Sequence, residues 1–138
     1  MGGFEVLEHT ADIGIKACAA SAEETLINVA LGMFSILTDT DTVDPKQEIA
    51  VEVDAPDREA LLHDWLEELL YQSQTRSMLF SRFIVHKLEG NRLSASAYGE
   101  PLDPEKHPLK LEIKAATYHQ LKFGPAQAGW EATVIFDV

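Results

Sequence analysis

Residues 21–37 read SAEETLINVALGMFSIL, and this stretch decides the fold class. Ser21 and Glu24 match a capping box, in which two side chains satisfy backbone N–H groups at the start of a helix. The apolar residues that follow recur at helical spacing, which predicts an amphipathic helix over about 22–37. Its apolar face comprises Leu26, Val29, Ala30, Met33, Phe34 and Leu37.

Strand patterns lie on both sides of this helix. Residues 4–9 and 13–19 precede it as two short predicted strands. After the polar, acidic segment 38–46, Ile49, Val51 and Val53 occupy alternate positions, which is typical of a half-buried strand.

A second amphipathic helix is predicted to begin at Pro56 and Asp57. The acidic side chains of this stretch fall mainly outside one broad apolar stripe. That stripe comprises Leu61, Leu62, Trp65, Leu66, Leu69 and Leu70.

The second half of the chain is predicted to be mostly strand. Gly90 and Asn91 are typical of a hairpin turn between two of these strands. The pattern predicts strands over 83–88, 92–98, 109–115 and 130–138, a loop over 101–108 and a turn over 124–129.

These elements predict an α+β fold in a single domain covering residues 1–138, with two amphipathic helices packed on mostly antiparallel β-sheet. A chain of 138 residues buries enough surface to fold without a disulfide or a structural zinc. The one cysteine, Cys18, is interpreted as a small buried apolar residue on a strand. A single cysteine is also compatible with a reducing compartment.

The charge narrows the function classes. The chain carries 11 Lys and Arg against 23 Asp and Glu, a formal net charge of −12. That balance argues against direct binding of nucleic acid, which depends on Lys and Arg, and against adhesion to an anionic membrane. No apolar run approaches the ~20 residues that span a bilayer, and the N-terminus lacks the features of a signal peptide. The expected location is the cytoplasm.

Common site motifs are absent from the sequence. It contains no glycine-rich phosphate loop, and its five histidines lack the spacing of a zinc site. The acidic segment fails as an EF-hand: with Asp39 at position 1, the glycine position holds Asp44 and the bidentate glutamate position holds Ala50. We interpret this segment as a solvated surface turn.

Three further features are weak when taken alone. Residues 9–14 place His9, Thr10 and Asp12 in a short connection, which a structural turn would explain equally well. Residues 114–119 could be an ordinary strand end. Asp137, next to the last residue, could simply be frayed.

Together with other segments, however, these features resemble the archease family. The similar segments occur in the family's order over nearly the whole chain. They are EHTADIG (8–14), ALGMF (30–34), WLEELLY (65–71), YGE (98–100), KH (106–107), KAATYH (114–119) and DV (137–138).

This resemblance implies an accessory protein of the GTP-dependent tRNA-splicing RNA ligase. Such a protein stimulates guanylylation of the ligase, supports its multiple turnover and broadens its nucleotide use, without joining RNA itself. The family's metal site carries over onto Asp12, Asp137 and the terminal residue Val138. His9, Lys114 and Lys106 are the candidates for ligase activation, with Lys114 ranked before Lys106.

The chemistry of that ligand set agrees with a hard cation. Two aspartates and a terminal carboxylate supply only oxygen atoms, which suits calcium or magnesium rather than zinc. Calcium is the expected ion, with magnesium and manganese as alternatives. Two carboxylates ~4 Å apart repel by about 4 kcal/mol at an effective dielectric constant near 20, and a divalent cation removes that repulsion.

Two other readings stay open. The first is a small metal-dependent hydrolase or transferase that uses Asp12, His9 and Lys114 as acid–base groups. The second is a general protein chaperone without metal chemistry.

Overall fold

The computed structural model describes residues 2–8 and 12–138. The elements in chain order are β1 (Gly3–Glu8), β2 (Asp12–Ala19), α1 (Ala22–Leu37), a 3-10 helix (Thr40–Thr42), β3 (Gln47–Asp54), α2 (Arg58–Arg76), β4 (Met78–Glu89), β5 (Arg92–Pro101), β6 (Ala115–Ala116), β7 (Lys122–Ala126) and β8 (Gly129–Asp137). The predicted α+β class with two helices is therefore confirmed.

Helix α1 begins directly after its predicted cap Ser21, and α2 begins at Arg58, directly after Asp57. The Ser21 hydroxyl accepts a hydrogen bond from the backbone N–H of Glu24, and the Asp57 carboxylate accepts one from that of Ala60. These bonds satisfy N–H groups that have no partner within the helix. The first turn of each helix therefore has a fixed starting point.

The strands divide into two sheets, and every strand pair in the described part of the chain is antiparallel. The first sheet has the order β1-β2-β8-β6, and β7 pairs with β8 beside β6. The second has the order β3-β5-β4. The helices α1 and α2 each pack against strands of both sheets.

A continuous apolar core joins the helices to the two sheets. Trp65 on α2 is fully buried, and its indole N–H donates to the backbone carbonyl of Leu26 on α1 at 3.0 Å. Phe34 and Phe80 meet edge to face, with ring centroids 5.6 Å apart. Such burial of apolar area is the main favourable contribution to folding.

Local predictions differ in how well they describe the chain. The Gly90–Asn91 hairpin is confirmed, and Gly90 takes the positive φ of 58° that its turn requires. Residues 39–44 form the predicted surface turn around the 3-10 helix, except that the Val43 side chain is buried in the core. Cys18 lies on β2 as expected but is only half-buried.

The predicted strand over 109–115 is wrong except at its last residue. The backbone N–H groups of Lys110 and Leu111 donate to the carbonyls of Leu37 and Ile36 at the end of α1, at 3.0 and 3.2 Å. This segment therefore caps a helix instead of joining a sheet. The turn predicted over 124–129 is also too long, because β7 continues to Ala126 and β8 begins at Gly129.

Among the described residues, no helix is both long enough and apolar enough to cross a membrane.

Candidate metal centre

Asp12 and Asp137 are direct partners in the ladder between β2 and β8. Residues directly opposite each other in an antiparallel pair project to the same face, with Cβ atoms about 4.5–5.5 Å apart. Their neighbours Ile13 and Phe136 are buried in the core, so alternation puts both aspartates on the opposite face of the sheet. The ladder therefore brings together two of the three predicted metal ligands.

The Asp12 carboxylate has an oxygen that suits a cation. Asp12 is half-buried, and its Oδ1 atom is buried without a hydrogen-bond partner among the described residues. A buried carboxylate oxygen without a partner is costly, and a bound cation would satisfy it. The donor set thus fits a hard cation.

Asp137 is exposed, and Val138 beside it is half-buried. The described residues contain no group of three His, Cys, Asp or Glu side chains arranged to hold a metal ion. A site here would accordingly depend on the two aspartates together with an oxygen that is not one of these side chains. The third predicted ligand, the terminal carboxylate of Val138, is of that kind.

The end of β8 is also held from its other side. Ala115 of β6 is the second ladder partner of Asp137, and the backbone N–H of Lys114 donates to the Asp137 carbonyl at 2.8 Å. Thr117 donates to the Ile135 carbonyl twice, from its backbone N–H at 2.9 Å and its hydroxyl at 2.8 Å. The end of β8 is thus paired on both edges, with β2 on one side and with β6 on the other.

Two side chains of α2 satisfy the outer edge of β6. The Glu67 carboxylate accepts from the Ala116 N–H, and the His63 Nε2 atom lies at hydrogen-bond distance from the Ala116 carbonyl, each at 3.2 Å. The His63 Nδ1 atom lies 3.0 Å from the Asp64 carboxylate. Both ring nitrogens face acceptors, so a singly protonated ring donates to only one of them at a time.

The sequence analysis missed His63 and Glu67. They lie 53 and 49 positions from Ala116, and their bonds go to backbone atoms. Glu67 lies in WLEELLY (65–71), one of the segments that resemble the archease family, but nothing in that segment assigned it a role. For His63, position on the exposed side of an amphipathic helix was the only available signal.

The two candidate lysines have different surroundings. Lys114 is exposed and lines a shallow cleft with Asp64, Glu67 and Glu68 of α2. The Lys106 ammonium is paired with Glu100 at 2.7 Å and with Asp44 at 2.9 Å. Lys114 is therefore the lysine next to β6 and Asp137, whereas Lys106 belongs to a separate cluster. His9 lies outside the described residues.

The cluster around Lys106 centres on the buried carboxylate of Glu100. Its Oε2 atom accepts from Lys106, from the backbone N–H of Asp44 at 2.9 Å and from His107 Nε2 at 2.9 Å. Because His107 Nδ1 accepts from the Asp103 backbone N–H, the ring proton sits on Nε2 and points at Glu100. These hydrogen bonds lower the pKa of Glu100 from 4.5 to about 2, and the bond from Lys106 has the largest effect.

This lowered pKa predicts a pH-dependent effect of Glu100→Gln on stability. A depressed carboxyl pKa stabilises the fold above the unfolded value near 4.5, and the contribution is lost as the pH falls towards 2. At pH 7 the variant should therefore melt below the wild type, and the difference should narrow between pH 4.5 and 2. Thermal melts across this range measure it.

The control is Glu52→Gln, an exposed carboxyl on β3. Its melting temperature should follow that of the wild type across the same range. A constant difference between Glu100→Gln and the wild type would contradict ionisation of Glu100 as the cause.

The fold and the paired aspartates define a class: a small α+β protein with a candidate cation site at the end of its last strand. Residues 4–138 match the archease protein family. The chain belongs to that family.

Two curated relatives match over all or nearly all of the chain. The archease of Methanopyrus kandleri is 39% identical over 138 residues, covering 98% of this chain and 99% of that protein. The archease of Pyrococcus abyssi is 42% identical over 143 residues, with full coverage of both.

Two solved structures have a similar fold. The solution structure of Methanobacterium thermoautotrophicum protein 1598 has a TM-score of 0.86 and 39% identity, covering 99% of each chain. The crystal structure of a Thermotoga maritima archease, described as a possible chaperone, has a TM-score of 0.64 and 24% identity. It covers 97% of this chain and 96% of that one. At that identity the second match bears on the fold alone.

Proposed function

We propose that this protein is a metal-binding accessory protein that activates the GTP-dependent tRNA-splicing RNA ligase. It would stimulate guanylylation of the ligase, support repeated turnover and broaden its nucleotide use. The observation that carries the proposal is the direct pairing of Asp12 with Asp137, with a buried Asp12 oxygen that has no partner among the described residues. The ligase is the partner that the family resemblance implies, and membership of the archease family supports this choice.

Asp12, Asp137 and the terminal carboxylate of Val138 would hold the ion. An all-oxygen set favours calcium, with magnesium and manganese as alternatives. The bound ion would supply positive charge at a partly exposed face of the sheet, where a partner can reach it. These residues would fix the ion's position, and Lys114 would add a cation nearby.

The partner contact would be protein to protein. The net charge of −12 disfavours direct RNA binding and favours approach to a basic, RNA-binding ligase in the cytoplasm. Lys114 is the better supported activation candidate, since the Lys106 ammonium already serves Glu100 and Asp44. His9 stays a candidate from the family resemblance.

A guanylylation assay tests the proposal. Substoichiometric amounts of this protein should raise the initial rate at which its cognate ligase is guanylylated, and should support several ligation turnovers for each ligase molecule. Transfer of labelled guanylate to the ligase measures the first step directly. An unchanged rate at every ratio of the two proteins would refute the accessory function.

The same assay without ligase distinguishes the accessory function from the hypothesis that this protein is itself an enzyme. This protein alone should neither join RNA nor hydrolyse GTP. Turnover by the protein alone, lost in Lys114→Ala, would favour a small hydrolase or transferase instead.

A further inference from the structure

Exposed leucines converge on one groove. Leu102, Leu109 and Leu111 are 37, 59 and 47% exposed, and all three line a groove of about 400 Å³ between the segment 102–113 and α2. The floor includes apolar side chains of the core and of both helices. These are Leu37, Leu70, Met78 and Ile113. Lys110 and Glu112 also line the groove. Apolar side chains that stay exposed around a groove are a feature of interaction sites.

The backbone of this segment is held in place, so the leucines do not simply belong to a frayed loop. The Leu102 N–H donates to the Ser77 carbonyl at 2.8 Å. The His107 ring donates a hydrogen bond to the Glu100 carboxylate, and the Leu111 N–H donates one to the Ile36 carbonyl at the end of α1. A groove formed before binding avoids much of the entropy loss of ordering a loop.

The groove continues into an acidic cleft. Leu70 and Gln74 line both, and the cleft adds Asp64, Glu67 and Glu68 from the same helix. The pKa of Tyr118 is raised, first by burial and then by the negative charges of Asp64, Asp57 and Glu67. The surface therefore combines an apolar groove with a negatively charged neighbour.

We propose that this apolar–acidic surface docks a segment of the partner ligase that carries apolar side chains flanked by Lys or Arg. The apolar side chains would occupy the groove beside Leu109 and Leu111, and the cations would face Glu67 and Glu68. This inference rests on the proposed function for the identity of the partner, and on charge complementarity for its chemistry. Lys114 lines the cleft, so the surface adjoins the activation candidate.

Binding to the cognate ligase, measured by calorimetry, tests the docking surface. Leu109→Asp and Leu111→Asp should each raise the dissociation constant by about tenfold or more, because each puts a charge into the apolar contact. Glu68→Lys should weaken binding and reduce its dependence on salt. The matched control is Val6→Asp, a 41% exposed apolar residue on β1, which should bind like the wild type.

A synthetic peptide tests the groove independently of the proposed ligase function. A synthetic amphipathic peptide of Leu and Lys residues should shift NMR signals of Leu70, Gln74, Leu109 and Leu111 in the wild type, and lose this effect with Leu109→Asp. All variants should keep the wild-type circular dichroism spectrum.

The outcomes are distinct. Normal ligase binding by folded Leu109→Asp and Leu111→Asp would overturn the docking surface and leave the proposed function standing. A wild type that neither binds nor stimulates the ligase would refute the function, and absent or scattered peptide shifts would then refute the groove as well. Sedimentation that reveals a wild-type dimer lost in Leu109→Asp would assign the groove to a second copy and overturn the proposal.

Discussion

Calcium at about a hundredfold excess over its dissociation constant should raise the melting temperature by roughly 10 °C, and Asp12→Ala should abolish this rise. Binding to the folded state alone contributes about 2.7 kcal/mol at that excess. In a domain of this size each kcal/mol corresponds to a few degrees. Asp12 is decisive because its buried Oδ1 atom lacks a partner among the described residues. Differential scanning calorimetry with and without the ion provides the measurement.

Without metal, the melting temperatures of Asp12→Ala and the wild type should no longer differ in favour of the wild type. Removing one carboxylate of the Asp12–Asp137 pair relieves a repulsion, so Asp12→Ala should melt no lower than the wild type in chelator. The control is Asp41→Ala, which changes the net charge equally at an exposed position of the 3-10 helix and should keep the full response to calcium. A full response in Asp12→Ala would remove Asp12 from the site.

Asp137→Ala should reduce stimulation of ligase guanylylation by at least about tenfold while the protein stays folded. Loss of groups that merely orient metal ligands already costs 10–100-fold in affinity or activity in metal sites, and Asp137 would be a ligand itself. Its side chain is exposed, and the bond from Lys114 goes to its backbone carbonyl, so truncation leaves the ladder intact. Initial guanylylation rates with wild type and variant give the ratio.

Two further variants are measured beside Asp137→Ala. Glu52→Ala removes an exposed carboxylate from the other sheet and should stimulate normally. A glycine added after Val138 converts its terminal carboxylate into an amide and should weaken stimulation as well. Full stimulation by Asp137→Ala would separate ligase activation from the proposed metal site.

Local sequence patterns account for most of the elements. Helical spacing predicts both α1 and α2, and a capping box marks the start of α1, since these signals act within a few residues. Apolar and polar residues alternate over 109–115 as in a strand, yet the backbone of this segment donates hydrogen bonds to the end of α1. Alternation alone therefore gave a wrong prediction here. The strand β7 contains Gly124 and Pro125, residues that usually mark turns, and its pairing with β8 overrides them.

The candidate site depends on long-range register instead. Nothing in the residues around Asp12 indicates that it lies opposite Asp137, and only the family resemblance suggested the pair. The ladder brings the two residues together because β2 pairs with β8 across most of the chain. The contacts of His63 and Glu67 with Ala116 escaped prediction for the same reason, since they join side chains to distant backbone atoms.

The double pairing of Asp137 has a thermodynamic consequence for its ion. The residue lies in a strand bonded to β2 on one edge and to β6 on the other, and α2 in turn holds β6. The conformational entropy of the chain around Asp137 is thus lost during folding, before any ion arrives. An ion that binds there has to give up part of its water shell and to order the ligating side chains, but not the backbone of the strand. Its affinity should therefore reflect ligand chemistry and charge rather than a coupled disorder-to-order transition.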